Sequence, residues 1–125
     1  MGKSSQRKGA GGERELVALL QQAGYLVERG GSQTFGSVPD VVGLPGVHVE
    51  VKRTERLNLH EAMQQAIHDS ERFKDGVPTV FHRRNHEPWQ VTMLFSDWLR
   101  WYQRKNNESE NSKKLQKRSD FIGKE

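Results

Sequence analysis

VPDVVGLPGVHVEVKR, Val38 to Arg53, is the most apolar stretch of a strongly polar chain, yet it sets Asp40, Glu50 and Lys52 inside a strand pattern. Val38–Leu44 and Val47–Arg53 read as two β-strands around the turn Leu44-Pro45-Gly46-Val47, where Pro45 presets φ and Gly46 permits a positive φ. Side chains alternate along a strand, so Val47, Val49 and Val51 share one face and His48, Glu50 and Lys52 the other. A tight hairpin centred on Pro45 or Gly46 pairs residues whose numbers sum to about 90–92, and the even registers bring Asp40 across from Glu50 or Lys52.

Two carboxylates converging at the partly buried centre of a sheet repel each other, and desolvation adds to the cost. A hard divalent cation such as Mg²⁺ resolves the conflict, because it takes oxygen ligands from one or two carboxylates and keeps waters that act as nucleophiles. A third acid comes from the preceding helix. At about 100° per residue, Glu13 projects at the edge of the Leu16/Leu20 stripe that faces the sheet, Glu15 falls toward the opposite margin and Arg14 points away. Taken singly, a strand acid is more often an exposed edge residue, and Lys52 an ordinary ion-pair partner of Glu50 or Glu55. The joint placement of the four residues carries the metal reading.

Outward from the hairpin, Leu16, Leu19, Leu20 and Ala23 follow helical spacing from Glu13 to a stop at Gly24. Tyr25–Gly30 reads as a short first strand, and GSQTFGS, from Gly31, as a polar loop open to motion. Asn58 caps a second helix with Glu61 as its capping-box partner; Leu59, Met63, Ala66, Ile67 and Phe73 form its apolar side and Gly76 ends it. VPTVFH and WQVTMLF make a further strand pair joined by the basic loop RRNHEP. Ser96 caps a last short helix, DWLRWYQ. The expected order, α-β-β-β-α-β-β-α, describes an α/β domain in which helices cover a small mixed sheet.

At 125 residues the chain holds one domain, which its composition divides into a flexible basic segment over 1–11, a folded domain over 12–102 and a disordered polar tail over 103–125. Residues 1–8 carry three basic side chains and no acid, and residues 103–125 carry seven against four, whereas the body, 9–102, holds ten against twelve. The net charge of +4 therefore belongs to the ends, where it gives salt-sensitive, sequence-independent attraction to phosphate backbones. The absence of cysteine excludes disulfides, thiolate zinc sites and Fe–S clusters. No apolar run approaches the ~18–20 residues of a membrane span, the N-terminus has no signal-type segment, and Gln6 stands where a myristoylation signal needs Ser or Thr. These features read as a soluble, cytoplasmic protein with no membrane partner.

Pro39-Asp40, nine intervening residues and Glu50-Val51-Lys52 together resemble the PD-(D/E)XK nuclease superfamily, metal-dependent nucleases related in fold to restriction endonucleases. RKGAGGERELVALLQQAGYLVERGGS, Arg7 to Ser32, is similar to the opening of archaeal-type Holliday junction resolvases, in which a basic Gly-containing lead precedes a helix that begins with a catalytic Glu. The second half is similar to small phage-encoded nucleases of the superfamily, and ERLNLHEAMQQ departs from the archaeal spacing. The resemblance implies a restriction-endonuclease-like fold and a metal-dependent endodeoxyribonuclease, a homodimer acting on branched or four-way DNA. Glu13, Asp40 and Glu50, with the Val51 carbonyl, would hold Mg²⁺, with Mn²⁺ as substitute, and Lys52 would position the attacking water. Lys8, Arg14, Arg29, Arg53, Gln65, Arg83 and Arg84 are the candidate DNA contacts. Two alternatives remain: a nuclease of the same chemistry acting on nicked, flapped or duplex DNA, and a catalytically silent nucleic-acid-binding module.

The five histidines show no metal-site spacing of the H-E-x-x-H kind. Trp89, Trp98, Trp101 and Tyr102 read either as base-stacking groups or as residues closing a core or a dimer interface. GAGG, residues 9–12, reads as a flexible lead-in.

Overall fold

Gly46 takes φ +75°, and the Val47 amide donates to the Leu44 carbonyl at 3.3 Å, so the Pro-Gly turn closes as its residues dictate. In this computed structural model, which describes residues 2–31 and 38–123 and the side chains of 10–31 and 38–115, the turn joins strand β2 (Val41–Val42) to β3 (Val47–Arg53). Their antiparallel register pairs Val41 with Val49, an even register of the predicted set. β1 (Glu28–Arg29) flanks β2, and α2 (Leu59–Phe73) crosses over to β4 (Val77–Arg83), which runs parallel to β3 and antiparallel to β5 (Gln90–Met93). The sheet order is β1-β2-β3-β4-β5. The predicted element order and mixed sheet hold, although β1, β2 and β5 are shorter than their apolar runs. Of the GSQTFGS loop, residues 32–37 lie outside the described residues.

The two faces of β3 are covered by different helices. Val49 and Val51 pack with Val41, Val27 and Phe81 against Leu16 and Val17 of α1 (Gly2–Gln22). On the other face Val80 packs with Ala62, Met63 and Ala66 of α2. The inward stripe of α1 is Leu16 and Val17, both buried, with Leu20 partly buried beside them, while Leu19 and Ala23 of the predicted stripe are exposed. α2 is capped as expected, the Asn58 side chain accepting from the Glu61 amide at 3.1 Å. It ends earlier than Gly76, at Lys74, whose left-handed backbone (φ 52°) lets its amide donate to the Ser70 carbonyl at 2.8 Å.

The ends differ from the sequence reading. α1 begins at Gly2 and α3 runs from Phe95 to Gly123, so the structure draws as helix much of what reads as flexible or disordered. Gly9–Gly12 lie in this helix, and a Cβ on Gly12 would stand 2.6 Å from the Arg53 Cβ. The glycine therefore serves close packing of α1 on β3, not a loop. From Gln103 to Leu115, α3 is exposed throughout; its Glu, Lys, Arg and Gln residues carry no apolar stripe, but they have high helix propensity and no proline interrupts them. α3 starts one residue before Ser96 because the Leu94 carbonyl accepts from the Asp97 and Trp98 amides. Residues through Met93 form one compact unit and those from Leu94 a second. Among the described residues no helix is long and apolar enough to cross a membrane.

Candidate active site

Asp40 stands just before β2, where the ladder with β3 stops. Its carbonyl accepts from the Gly30 amide at 3.0 Å, and its carboxylate takes the Val51 amide at 2.9 Å. In an extended strand the N–H and C=O of one residue point to the same edge, so the Val51 carbonyl also faces the Asp40 side of β3. Burial pushes the Asp40 carboxyl up to about 7, and the Glu50 and Glu13 charges push the same way against the Val51 hydrogen bond and Lys52. A carboxylate held so far above its ordinary range is one crowded by other acids in a dry place, the environment a cation relieves.

Glu50 is only 4% exposed. One oxygen lies 3.5 Å from the Lys52 ammonium and the other 3.8 Å from His48 Nε2. The ammonium also donates to the Gln65 side-chain oxygen on α2 at 3.3 Å. Lys52 is thus held between the strand acid and a helix amide, with about a third of its side chain open to solvent. Asp40, Glu50, Lys52 and Gln65 gather at one edge of the charged face of β3.

Glu13 approaches from the other layer. α1 covers the valine face, and the Glu13 carboxylate accepts from Arg29 Nε at 2.9 Å while its charge reaches Asp40. The group of three acids or histidines whose ligand atoms lie within 4.8 Å of one another is, among the described residues, His48, Glu50 and Asp69. Sequence reasoning passed over two of these. His48 lacks a local metal motif, although its alternation with Glu50 and Lys52 is the signal that places it on the charged face. Asp69 follows Gln65 by four residues on α2, a spacing that sets the two side chains on one side of the helix.

Among the candidate DNA contacts, three arginines are tied to carboxylates. Arg29 is paired with Glu13, Arg53 lies 3.8 Å from Glu15 and 3.9 Å from Glu55, and Arg83 pairs with Glu15 while donating to the Glu87 carbonyl at 2.6 Å. Trp89 Nε1 also donates to Glu15, at 3.0 Å, so this tryptophan closes an internal cluster instead of offering a stacking face. Arg14 and Arg84 are exposed, and the Lys8 side chain lies outside the described residues. On α3, Phe95, Trp98 and Tyr102 stack in succession, with centroids 6.2 and 5.1 Å apart, and Trp101 is also exposed.

A likeness in fold accompanies this geometry. Hjc from Archaeoglobus fulgidus, described as a Holliday junction resolvase from an archaeal hyperthermophile, superposes with a TM-score of 0.50 at 22% identity, covering 65% of this chain and 72% of that one. Among curated proteins no sequence relative is found. The family model of the archaeal Holliday junction resolvases (Hjc) matches residues 4–116. With that match over nearly its whole length, the chain belongs to the archaeal Holliday junction resolvase family.

Proposed function

We propose that the chain is a divalent-metal-dependent endonuclease that hydrolyses phosphodiester bonds in four-way DNA junctions and works as a homodimer. The observation that carries the reading is the crowding of Asp40 against Glu50 at the dry edge of β3, which pushes one carboxyl up to about 7 beside a held ammonium. The donor set is all oxygen and suits Mg²⁺ or Mn²⁺. Asp40, Glu50 and the Val51 carbonyl would hold the ion, with Glu13 joining from α1. When bound, the ion supplies positive charge to the scissile phosphate and lowers the pKa of a coordinated water.

The remaining chemistry belongs to the protein's own groups. Lys52, oriented by Glu50 and Gln65, donates hydrogen bonds to the attacking water and to the phosphate oxygen on which charge develops. Its attachment at both sides limits the reorganisation that would otherwise accompany reaction. The valine face under α1 is buried behind it. Arg14 and Arg84, exposed on the surface, serve as phosphate contacts together with Lys8. Arg29, Arg53 and Arg83 reach DNA only by leaving their carboxylates, so they contribute less. Paired cuts across a junction require two sites, and one chain offers one, hence the homodimer.

The test is cleavage of end-labelled four-way junction, nicked, flapped, linear duplex and single-stranded DNA with Mg²⁺ or Mn²⁺. Paired, symmetric cuts in the junction and little cutting of linear duplex are expected. Equal cutting of junction and duplex would move the reading to a nuclease without junction selectivity. No cutting of any substrate would leave a silent DNA-binding module.

A further inference from the structure

His48 is wholly buried, yet its Nε2 has no hydrogen-bond partner among the described residues. Its other nitrogen is firmly taken. Both oxygens of Asp75, in the turn after α2, lie 2.8 and 2.9 Å from Nδ1, and the ring stacks on Phe73 at a centroid distance of 6.4 Å. A carboxylate only accepts, so Asp75 holds the proton on Nδ1, and Nε2 is the ring atom left to carry either a second proton or a metal. Burial lowers the His48 pKa, but the neighbouring Glu50 and Asp75 outweigh it and raise it. Nε2 faces a Glu50 oxygen at 3.8 Å. The separation exceeds the roughly 2.7–2.9 Å of a charge-assisted hydrogen bond. It lies within the maximum of about 4.2 Å that two donors sharing one ion at about 2.1 Å each can span.

We infer that His48 Nε2, Glu50 and Asp69 form a second cation site, one that takes a divalent transition metal such as Mn²⁺ or Zn²⁺. Their ligand atoms lie within 4.8 Å of one another, so a small closure completes a three-donor set. The Asp75–His48 contact supplies the carboxylate-to-imidazole support that orients metal-binding histidines. An imidazole donor distinguishes this site from the all-oxygen set around Asp40 and favours transition metals over Mg²⁺. Glu50 has one oxygen toward Lys52 and the other toward His48, and stands between them. The second site shares that residue with the proposed nuclease centre but requires neither Asp40 nor Lys52.

The test is electron spin-echo spectroscopy of the full chain loaded with Mn²⁺ alone, alongside calorimetric titration with Mn²⁺. Wild type should show the modulation of a directly bound ¹⁴N, and Asp40→Asn should keep it. His48→Gln should lose it, and Asp69→Asn should bind this ion at least about tenfold more weakly while its circular dichroism and melting temperature stay unchanged. Absence of ¹⁴N coupling in the wild type would mean that a proton, not a metal, lies between His48 and Glu50, and would overturn the site. Coupling that persists in His48→Gln would assign the signal to exposed histidines and overturn it equally. Asp69→Asn guards against a merely misfolded His48 variant: undiminished Mn²⁺ affinity there contradicts the proposal. Loss of nuclease activity in Asp40→Asn with retained ¹⁴N coupling would separate the two centres.

Discussion

The two faces of β3 are both buried, but they meet burial in opposite ways. Under α1, Val49 and Val51 join a cluster of aliphatic and aromatic side chains whose packing asks for nothing but shape. Under α2, the same strand carries His48 and Glu50 at 0 and 4% exposure, with Lys52 alongside. Covering apolar area stabilises the fold, whereas covering ionisable groups works against it unless each finds a partner. One strand thus separates a face of aliphatic side chains from a face that carries ionisable groups.

This contrast is sharpest at Lys52. Lys52→Ala removes the only ammonium beside Glu50 among the described ion pairs and is expected to lower single-turnover junction cleavage by roughly 10²–10³-fold, the scale of a lost transition-state donor. Thermal stability should fall to a lesser degree, because Glu50 stays buried with one partner fewer. A large loss of stability with unchanged cleavage would assign Lys52 to the fold.

Asp40 gives the next effect, in stability. Its ordinary value is 3.8 and its folded value about 7, so between these the folded protein keeps a proton that the unfolded chain has released. Stability of the metal-free protein therefore falls as pH rises from about 4 to 7, and the deficit is complete above that window. Asp40→Asn retains an acceptor for the Val51 amide and lacks the charge. It should stabilise the metal-free protein by roughly 1–3 kcal/mol at pH 8 and by much less at pH 4. Denaturant titrations at the two pH values check this, and addition of Mn²⁺ should raise the wild-type midpoint more than that of the variant. The smallest effect belongs to the surface. Arg84→Ala should weaken junction binding only a few-fold, uniformly across sequences, and reduce the slope of log K against log salt by about 0.9, as loss of one phosphate contact does.

Much of this contrast is legible in the sequence, because strand alternation is a local property. The Val41–Val49 pairing follows from a tight Pro-Gly turn, and with it the approach of Asp40 to Glu50. Gln65, named from the family resemblance as a candidate DNA contact, lies beside Lys52. What stayed hidden depends on contacts between distant segments. Asp75 reaches His48 across 27 residues, and no spacing rule connects a helix-terminal turn with a strand histidine. The arginines were equally opaque: a basic loop reads as a phosphate grip until Glu15, 68 residues away from Arg83, is found holding it. At the ends composition weighs apolar content, whereas helix formation there draws on propensity alone.

The account rests on the charged face of β3 serving a reaction and the valine face serving the fold. Single-turnover cleavage of a four-way junction with Mg²⁺, measured beside the denaturant midpoint for Glu50→Gln and Val49→Ala, tests that division most directly. Glu50→Gln should abolish cleavage while remaining at least as stable as wild type. Val49→Ala should lose roughly 2–3 kcal/mol of stability yet cut at close to the wild-type rate under conditions where it is folded. Near-normal cleavage by Glu50→Gln, or a folded Val49→Ala that cannot cut, would contradict the account.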